Sequence, residues 1–475
     1  MSATPKNQDH HELIRQGYVA DAMSQAAGLV AACDLPPDEL RRRGRRGWDT
    51  ALAHARAVSP WHAERMAGLD PGAGPADVPT MTKDDLVANF DRIVADRRCS
   101  LDRCEELLAA VEDRPCMDED HLVLTSGGTS GRRAVFPWAR SGAARIFLGA
   151  VRWALRGPLD GQPPRQVTSV GARSPRHATA AMSSIFGTPG DGTRFPVDLD
   201  VADIVAGLNR AEPDMLVVYA SMVPILAEES IAGRLTIRPR VVSPTSEPSP
   251  PGSREAAAEA WGIELTEIYG TSEVGTVAAG CGAAPGMHVN EDLVLVETVD
   301  ADGRPIAPGE RSARTVVTAL GAGHVLPLVR YVLDDEVVTL DEPCPCGSPF
   351  RRMAEVTGRA DERLAWGGVS VHPHVIRSAF AAHAGVLEYQ VRAVTDGVEV
   401  DVRPSGRVSI DVHGLRSDIY RTLSRAGLVG PRVDVAVVPG APRTAAGKLR
   451  RFVPLGDGAR TTAGTGTGTA TDVTV

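Results

Sequence analysis

The sequence predicts an α/β protein with a helical lead-in, a large α/β region and a small α+β region near its end. Helical spacing of apolar residues dominates residues 1–120. Between residues 121 and 340, short apolar runs alternate with helical stretches, and after Gly358 helix and strand patterns follow one another closely. Alternation of strand, loop and helix is typical of a largely parallel or mixed sheet that is covered by helices.

The lead-in contains three segments whose apolar residues recur at helical intervals, namely residues 18–32, 48–66 and 83–95. Residues 70–75 interrupt this pattern with Pro and Gly. Thr82 precedes the third segment and Asp85 follows three residues later, which is a capping-box pattern at a helix start. Lys83 is therefore expected at the first position of that helix.

The central region alternates between predicted strands and helices. Strands are predicted at residues 122–124, 215–219, 241–243 and 263–268, and helices at 223–229 and 252–261. Antiparallel strands joined by turns are predicted at 293–299, 313–320 and 336–340. In the last region we predict, in order, helix 373–383, strands 388–394 and 399–403, helix 417–426 and strand 432–438. Residues 457–475 are low in complexity and predicted to be disordered.

Composition narrows the class of protein. The chain has 475 residues, of which 43% are hydrophobic, with 51 basic and 60 acidic side chains. This suits a globular protein of several domains, and the net charge of −9 disfavours nucleic acid as a partner. We find no apolar run that predicts a membrane span or a leader, and the seven cysteines form no dense even set. A cytoplasmic protein without a membrane partner is expected.

Lysine is unusually scarce in this chain. Only Lys6, Lys83 and Lys448 are lysines, and every other basic residue that counts toward the total of 51 is arginine. Lys448 ends a Gly-containing loop that begins at Pro442. Arginine is a poor substitute for a compact ammonium that must reach a buried charge. A function for Lys448 is therefore expected, with chance retention as the alternative.

Three segments carry residues suited to a nucleotide. Residues 124–131 run from a strand into a Gly/Ser/Thr loop whose backbone N–H groups suit phosphate, although no Walker A lysine follows. Residues 267–275 contain an aromatic ring that could stack on a purine, two hydroxyls that could bind a phosphate and a carboxylate that could bind Mg²⁺. Residues 327–336 place carboxylates after a strand, where one can accept bonds from ribose hydroxyls. Each segment alone is also compatible with an ordinary turn.

In this order, the segments resemble the adenylate-forming superfamily of acyl-CoA synthetases, and most closely its phenylacetate-CoA ligase branch. The resemblance covers roughly residues 45–455 and rests on motifs at 78–86, 126–131, 245–248, 269–273, 288–292, 327–335, 344–347, 358–362 and 442–448. It implies a large N-terminal domain over 1–359, with mixed or parallel sheets, and a small mobile α+β domain over 360–456.

The resemblance also implies a role for each matched residue. The phosphate loop, which would close over the β- and γ-phosphates of ATP, contains Ser126, Gly128, Thr129, Ser130 and Gly131. The base and ribose would be held by Glu247, Pro248, Tyr269 and Asp335, with Gly270 and Arg330 belonging to the same nucleotide site. Thr271 or Ser272 would contact the α-phosphate, and Glu273 would position Mg²⁺. Arg359 and Asp361 would mark the hinge between the domains.

Lys448 would bridge the attacking carboxylate and the α-phosphate. A point cation there neutralises the charge that develops when two anions meet. The expected reaction converts a small carboxylic acid, aryl or arylacetic in this branch, and ATP into acyl-AMP and pyrophosphate. The acyl group then passes most readily to the thiol of CoA.

Three alternatives stay open at this point. The acceptor is a carrier-protein thiol or an amine, as in secondary-metabolite pathways; the chain is an ATP-dependent phosphotransferase that releases ADP; or it is a non-catalytic nucleotide-binding scaffold. The sequence also leaves open whether the chain forms a homodimer. Two interpretations of His177 are equally compatible with the sequence: it contacts the acid, or it lies in a surface loop.

Four soft or borderline ligands predict a structural Zn²⁺ site: Cys281, His288, Cys344 and Cys346. Similar residues occur in the resembling branch. The alternative is a set of buried, reduced thiols with a packed histidine.

Overall fold

A computed structural model describes residues 5–110, 114–125, 134–188, 193–354, 356, 358–359, 362–381, 383, 385–444 and 446–456. The α-helices are α1 (Pro5–Ala32), α2 (Pro37–Val58), α3 (Pro60–Arg65), α4 (Lys83–Ile93), α5 (Leu101–Ala110), α6 (Arg140–Arg156), α7 (Ala178–Phe186), α8 (Val201–Ala211), α9 (Val223–Ile231), α10 (Ser253–Trp261), α11 (Pro373–Ala381) and α12 (Val412–Arg425).

The strands up to the middle of the chain are β1 (Cys116–Met117), β2 (His121–Thr125), β3 (Val135–Ala139), β4 (Val167–Gly171), β5 (Arg194–Pro196), β6 (Met215–Tyr219), β7 (Val241–Thr245), β8 (Ile268–Thr271), β9 (Gly275–Ala279), β10 (Met287–Val289), β11 (Val294–Val299) and β12 (Arg314–Ala319). The later strands are β13 (Tyr331–Leu333), β14 (Asp335–Glu336), β15 (Thr339–Leu340), β16 (Arg352–Met353), β17 (Gly358–Arg359), β18 (Leu364–Trp366), β19 (Val369–Val371), β20 (Val386–Val394), β21 (Gly397–Pro404), β22 (Arg432–Val437) and β23 (Phe452–Val453).

The largest sheet has nine strands in the order β15-β16-β10-β9-β8-β7-β6-β4-β5. Strands β5, β4, β6, β7 and β8 pair in parallel, while the pairs from β8 through β15 are antiparallel. The sheet is therefore mixed, as predicted. All five residues of β7 and all five of β9 are buried, which is typical of central strands covered on both faces.

Smaller sheets flank this core. β1-β2-β3 and β11-β12-β13 are antiparallel, which confirms the antiparallel pattern predicted from residue 293 onward. The last region forms the four-stranded sheet β22-β21-β20-β23, on which α12 buries Leu415, Ile419 and Leu423. The mixed α/β class is confirmed, whereas a division into domains at residues 359 and 360 stays a prediction.

The predicted helix over residues 48–66 is wrong as a single element. The structure has α2 and α3, which meet at Ser59 and Pro60. Proline at position 60 has no N–H to donate and its ring disfavours a continuing helix, whereas it is well suited to the first turn of a new one. The Ser59 side chain accepts a hydrogen bond from the His62 N–H and caps α3. The capping box of Thr82 and Asp85 at the start of α4 is confirmed.

Other element boundaries also differ from prediction. The strand predicted at residues 263–268 begins only at Ile268; the preceding segment is joined to β7 by the Thr266 N–H, which donates to the Val242 carbonyl at 3.0 Å, and by a Ser243–Thr266 hydroxyl bond of 2.7 Å. The strand predicted at 336–340 is two short strands, β14 and β15, in different sheets. Helix α12 starts at Val412 rather than Ser417, since Asp411 accepts the Gly414 N–H and caps it. Residues 457–475 lie outside the described residues.

Among the helices that the structure describes, none combines the length and the apolar character that crossing a bilayer requires.

Candidate active site

Residues from several of the predicted motifs line one cavity of about 820 Å³. Residues 245–248 leave the end of β7 and residues 269–273 end β8, and both segments line the cavity. Because β7 and β8 are parallel neighbours, these segments lie at the same edge of the sheet, where open α/β sheets bind ligands. Asp335, Arg359 and Lys448 reach the same cavity from later parts of the chain.

Tyr269 and Asp335 are held side by side in the cavity wall. The Tyr269 hydroxyl donates a hydrogen bond of 2.8 Å to Asp335 Oδ2. Burial and the neighbouring carboxylate raise the pKa of Tyr269 well above its usual value, so the hydroxyl remains a neutral donor. Pairing of β14 with β17 places Asp335 opposite Arg359. An aromatic ring, a carboxylate and a cationic side chain therefore lie close together.

Glu273 is a carboxylate in an environment that favours its neutral form. Burial, followed by the nearby Asp335 carboxylate, raises the pKa of Glu273, while Arg359 and Lys83 oppose the shift. A buried carboxylate beside another acidic group is stabilised when a cation binds next to it. The position therefore suits a divalent cation.

The loop that carries Lys448 is a tight turn. Thr444 N–H donates to the Lys448 carbonyl at 2.9 Å, and Gly447 N–H donates to the Thr444 carbonyl at 2.8 Å. Gly447 has a φ of +76°, and a Cβ atom there would lie 2.6 Å from Val197 Cγ1. Both conformation and space therefore require glycine before the lysine.

Glu247 joins this loop to the large sheet. One carboxylate oxygen accepts the Ser221 N–H at 2.9 Å, and the other accepts the Leu449 N–H at 2.8 Å. The Tyr219 hydroxyl adds a bond of 3.1 Å to the Ala446 carbonyl. The residues on both sides of Lys448 are thus anchored to the wall formed by β6 and β7.

Lys448 itself lines the cavity together with these acidic groups. Burial lowers the pKa of Lys448, and the carboxylates of Glu247, Asp335 and Glu273 act in the opposite direction. A compact ammonium in a site of low dielectric interacts strongly with any anion that enters. The Lys448 ammonium therefore shares one cavity with three carboxylates.

The two predicted phosphate hydroxyls make local contacts. Thr271 Oγ1 accepts the Val274 N–H at 3.2 Å, and Ser272 Oγ donates to the Thr125 carbonyl at 3.3 Å. Trp138 Nε1 donates to the Ser272 carbonyl at 3.1 Å. The turn after β8 is therefore fixed to the end of β2, the strand that leads into the predicted phosphate loop.

Not every predicted site residue is described or brought to the cavity. The phosphate-loop residues Ser126, Gly128, Thr129, Ser130 and Gly131, together with Asp361, lie outside the described residues. Arg330 is described, but its guanidinium pairs with Glu297 at 3.0 Å, and its neighbour Tyr331 lines the cavity instead. The structure therefore gives Arg330 a position in the packing rather than a place beside Lys448.

Sequence reasoning missed the position of Lys83 and left His177 undecided. Lys83 lines the cavity, and its charge is close enough to lower the pKa of Glu273. The scarcity of lysine was a signal for this residue as much as for Lys448, but its place in a capping pattern offered a sufficient local explanation. His177 lies in the cavity wall at the N-cap of α7.

A second cluster brings together the four predicted metal ligands. The ligand atoms of Cys281, His288, Cys344 and Cys346 all lie within 4.8 Å of one another. Cys281 Sγ is 3.6 Å from Cys344 Sγ, and Cys346 Sγ is 3.3 Å from His288 Nε2. Tetrahedral Zn²⁺ with ordinary bond lengths separates two sulfurs by about 3.8 Å and sulfur from nitrogen by about 3.5 Å. The four side chains therefore fit a closed zinc site.

The surroundings of the cluster also orient the histidine. His288 Nδ1 lies 3.3 Å from the Phe350 carbonyl, which leaves Nε2 facing the thiols. The Trp153 ring stacks on the imidazole with centroids 4.2 Å apart. A backbone carbonyl on the far nitrogen is the usual second partner of a metal-binding histidine.

No protein-family model matches the chain. A 2-hydroxyisobutyryl-CoA ligase, solved in the postadenylation state with an acyl-AMP, superposes with a TM-score of 0.64 at 19% identity, covering 87% of this chain and 88% of that one. The chain has the fold of the adenylate-forming ligases. The fold predicted from the sequence motifs is therefore confirmed.

Sequence comparison finds relatives that share one name. Phenylacetate-coenzyme A ligase of Thermus thermophilus is 30% identical over 280 residues, 51% of this chain and 60% of that protein. The Aromatoleum evansii enzyme of the same name is 26% identical over 261 residues, 51% of this chain and 58% of that protein. The chain thus spans about three fifths of the curated relatives it matches. The predicted resemblance to the phenylacetate-CoA ligase branch is confirmed.

Proposed function

We propose that the chain activates a carboxylic acid with ATP, forming acyl-AMP and pyrophosphate, and then transfers the acyl group to CoA. The observation that carries this proposal is the position of Lys448 in one cavity with Glu273, Asp335 and Tyr269. Attack of a carboxylate on the α-phosphorus of ATP brings two anions together. The half-buried Lys448 ammonium between them lowers the barrier, because it neutralises the charge that develops.

The remaining residues take roles that match their contacts. Asp335, oriented by Tyr269, accepts hydrogen bonds from ribose hydroxyls, and Tyr269 and Pro248 flank the base. Thr271 or Ser272 contacts the α-phosphate, and Gly270 leaves space beside it. Glu247 holds the lysine loop in place through Leu449. Arg359, with Asp361, belongs to the hinge that lets residues 360–456 rearrange between the two half-reactions.

Glu273 is proposed to hold Mg²⁺, which neutralises phosphate charge when it is bound. The half-buried Glu273 side chain beside Asp335 fits such a cation. The cluster of Cys281, His288, Cys344 and Cys346 is proposed to hold a structural Zn²⁺ that takes no part in the reaction. The phosphate loop, residues 126–131, is proposed to cover the β- and γ-phosphates, as its motif implies.

The acid and the acceptor are proposed from the cavity lining and from the names of the relatives. The cavity wall beyond His177 is largely apolar, which suits an apolar acid. Arylacetic acids belong in the first panel of acids because phenylacetate is in the name of the relatives. CoA is the first acceptor for the same reason, and a carrier-protein thiol or an amine is the alternative.

The test follows the products from ATP, Mg²⁺ and a panel of carboxylic acids. Acid-dependent AMP and pyrophosphate would support adenylation, whereas ADP and phosphate would identify a phosphotransferase instead. Since all acceptors share the first step, CoA, a loaded carrier protein and an amine are then supplied separately. Formation of acyl-CoA in the first of these reactions alone would support the CoA assignment.

A further inference from the structure

The cavity continues beyond the polar residues along helix α1. Two rows of α1 side chains line it, Ala22, Ala26 and Val30 in one row and Met23, Ala27 and Ala31 in the other. Side chains four residues apart stand above one another on one helix face. The cavity therefore follows the helix axis from residue 22 to residue 31, a distance of about 13 Å at the usual helical rise. We call this part of the cavity the apolar arm.

Helix α6 forms the facing wall of the apolar arm. Phe147, Val151 and Leu155 line the cavity at intervals of four residues, so this row runs along α6 for about 12 Å. Val167 of β4 and Met215 of β6 close the arm from the sheet. Apolar side chains of two helices and the sheet thus border the cavity along this length, and Ala22, Val151 and Met215 are buried where they pack together.

The chemistry of the apolar arm is uniform. Of the described residues that line it between His177 and α1, none carries a charge. Small side chains on α1, chiefly Ala22, Ala26 and Ala27, keep it open. Met23 is 72% exposed, and Ala27 and Ala31 are also exposed, so the arm reaches solvent along one side. At its inner end, His177 and Tyr219 join it to the polar half that holds Lys448.

We propose that the acid has an elongated apolar chain, such as a medium- or long-chain alkyl chain, which lies in the apolar arm. This inference rests on the proposed function, because the carboxylate of the acid is placed beside Lys448. A single aromatic ring would fill only the inner end and leave the rest of the arm to water. Apolar surface that leaves water favours the longer chain, by up to roughly fourfold in kcat/KM for each buried methylene.

The first experiment measures kcat/KM for pyrophosphate release with straight-chain acids of about four to about twelve carbons, and with phenylacetate for comparison. The proposal expects kcat/KM to rise with chain length by at least about 100-fold across the series. A flat series, or phenylacetate as the best substrate, would overturn it and leave the adenylation proposal intact. Absence of pyrophosphate with every acid would remove the proposed function and this inference together.

The second experiment shortens the apolar arm. Ala26→Phe places a ring between α1 and α6, and we expect kcat/KM to fall at least about tenfold for the longest acid while the shortest acid is unaffected. Ala26→Leu is a milder version that keeps the test valid where the phenylalanine disturbs folding. Ala109→Phe, at an exposed position of α5 that does not line the cavity, is the control and should leave both acids unchanged. Equal losses for long and short acids in the Ala26 variants would contradict a chain lying in the arm.

Discussion

One carboxylate oxygen of Glu247 accepts a hydrogen bond from the backbone N–H of Leu449, 2.8 Å away. Glu247 follows strand β7 and Leu449 follows the lysine, so this bond joins two parts of the chain that are 202 residues apart. The same carboxylate is fixed by the Ser221 N–H on its other oxygen. The position of Lys448 in the cavity therefore depends on a residue that the motif analysis had assigned to the adenine.

Glu247→Gln should separate adenylation from nucleotide binding. The amide retains one oxygen acceptor, but its NH₂ group faces a backbone N–H, so one charge-assisted hydrogen bond is lost. Such a bond contributes about 1.5–3 kcal/mol, and we expect kcat for acyl-AMP formation to fall roughly 10- to 100-fold. Steady-state kinetics and ATP titration measure the two effects. Glu310→Gln, at an exposed position, is the control, and an unchanged kcat for Glu247→Gln would show that the tether is dispensable.

The pH dependence of kcat/KM should show the lowered pKa of Lys448. Burial lowers this pKa, so the ammonium is present below it and is lost as pH rises through it. On the alkaline side, kcat/KM should therefore decline with an apparent pKa below the ordinary lysine value of about 10.4. Lys448→Arg, whose guanidinium does not titrate in this range, should be slower but should lose that limb. An identical alkaline limb in both proteins would assign it to another group.

Zinc content tests the cysteine and histidine cluster. We expect about one zinc per chain in protein washed with a weak chelator, measured by elemental analysis. Cys344→Ser should lose the metal and lower the unfolding midpoint by about 5–10 °C, since the site links β10 to the segment after β15. Cys116→Ser, which packs in a different hydrophobic cluster, should keep its zinc. Zinc-free wild-type protein of full stability would exclude the site.

The fold was largely predictable because the local patterns agree with their surroundings. Apolar runs such as β6 and β7 are buried on both faces, and the Thr82–Asp85 pattern caps α4 as expected. Predicted element boundaries were wrong where a local signal was overlooked, as at Pro60. They were also wrong where tertiary contacts determine the end of an element, as in the segment before Ile268. Local spacing alone did not predict that Lys83 and Lys448 share one cavity, because that depends on packing between distant parts of the chain.

The candidate site was predicted as a set of motifs but not as a set of contacts. Lys448, Glu273, Asp335 and Tyr269 line one cavity, as their order in the motifs had implied. Arg330 is part of its motif, yet its guanidinium pairs with Glu297 of β11 at 3.0 Å. The pairing of Glu247 with the lysine loop has no local sequence signal, since it is a backbone contact across distant residues.

The most direct test of the central claim is the rate of acid-dependent AMP formation in Lys448→Ala, measured with ATP affinity in the same preparation. We expect the rate to fall by about 100-fold or more while ATP binding changes only a few-fold, because the ammonium acts on the charge that develops in the transition state. Arg416→Ala, an exposed cationic position in the same C-terminal region, should retain the wild-type rate. An unchanged rate of AMP formation in Lys448→Ala would contradict the assignment of adenylation to this cavity.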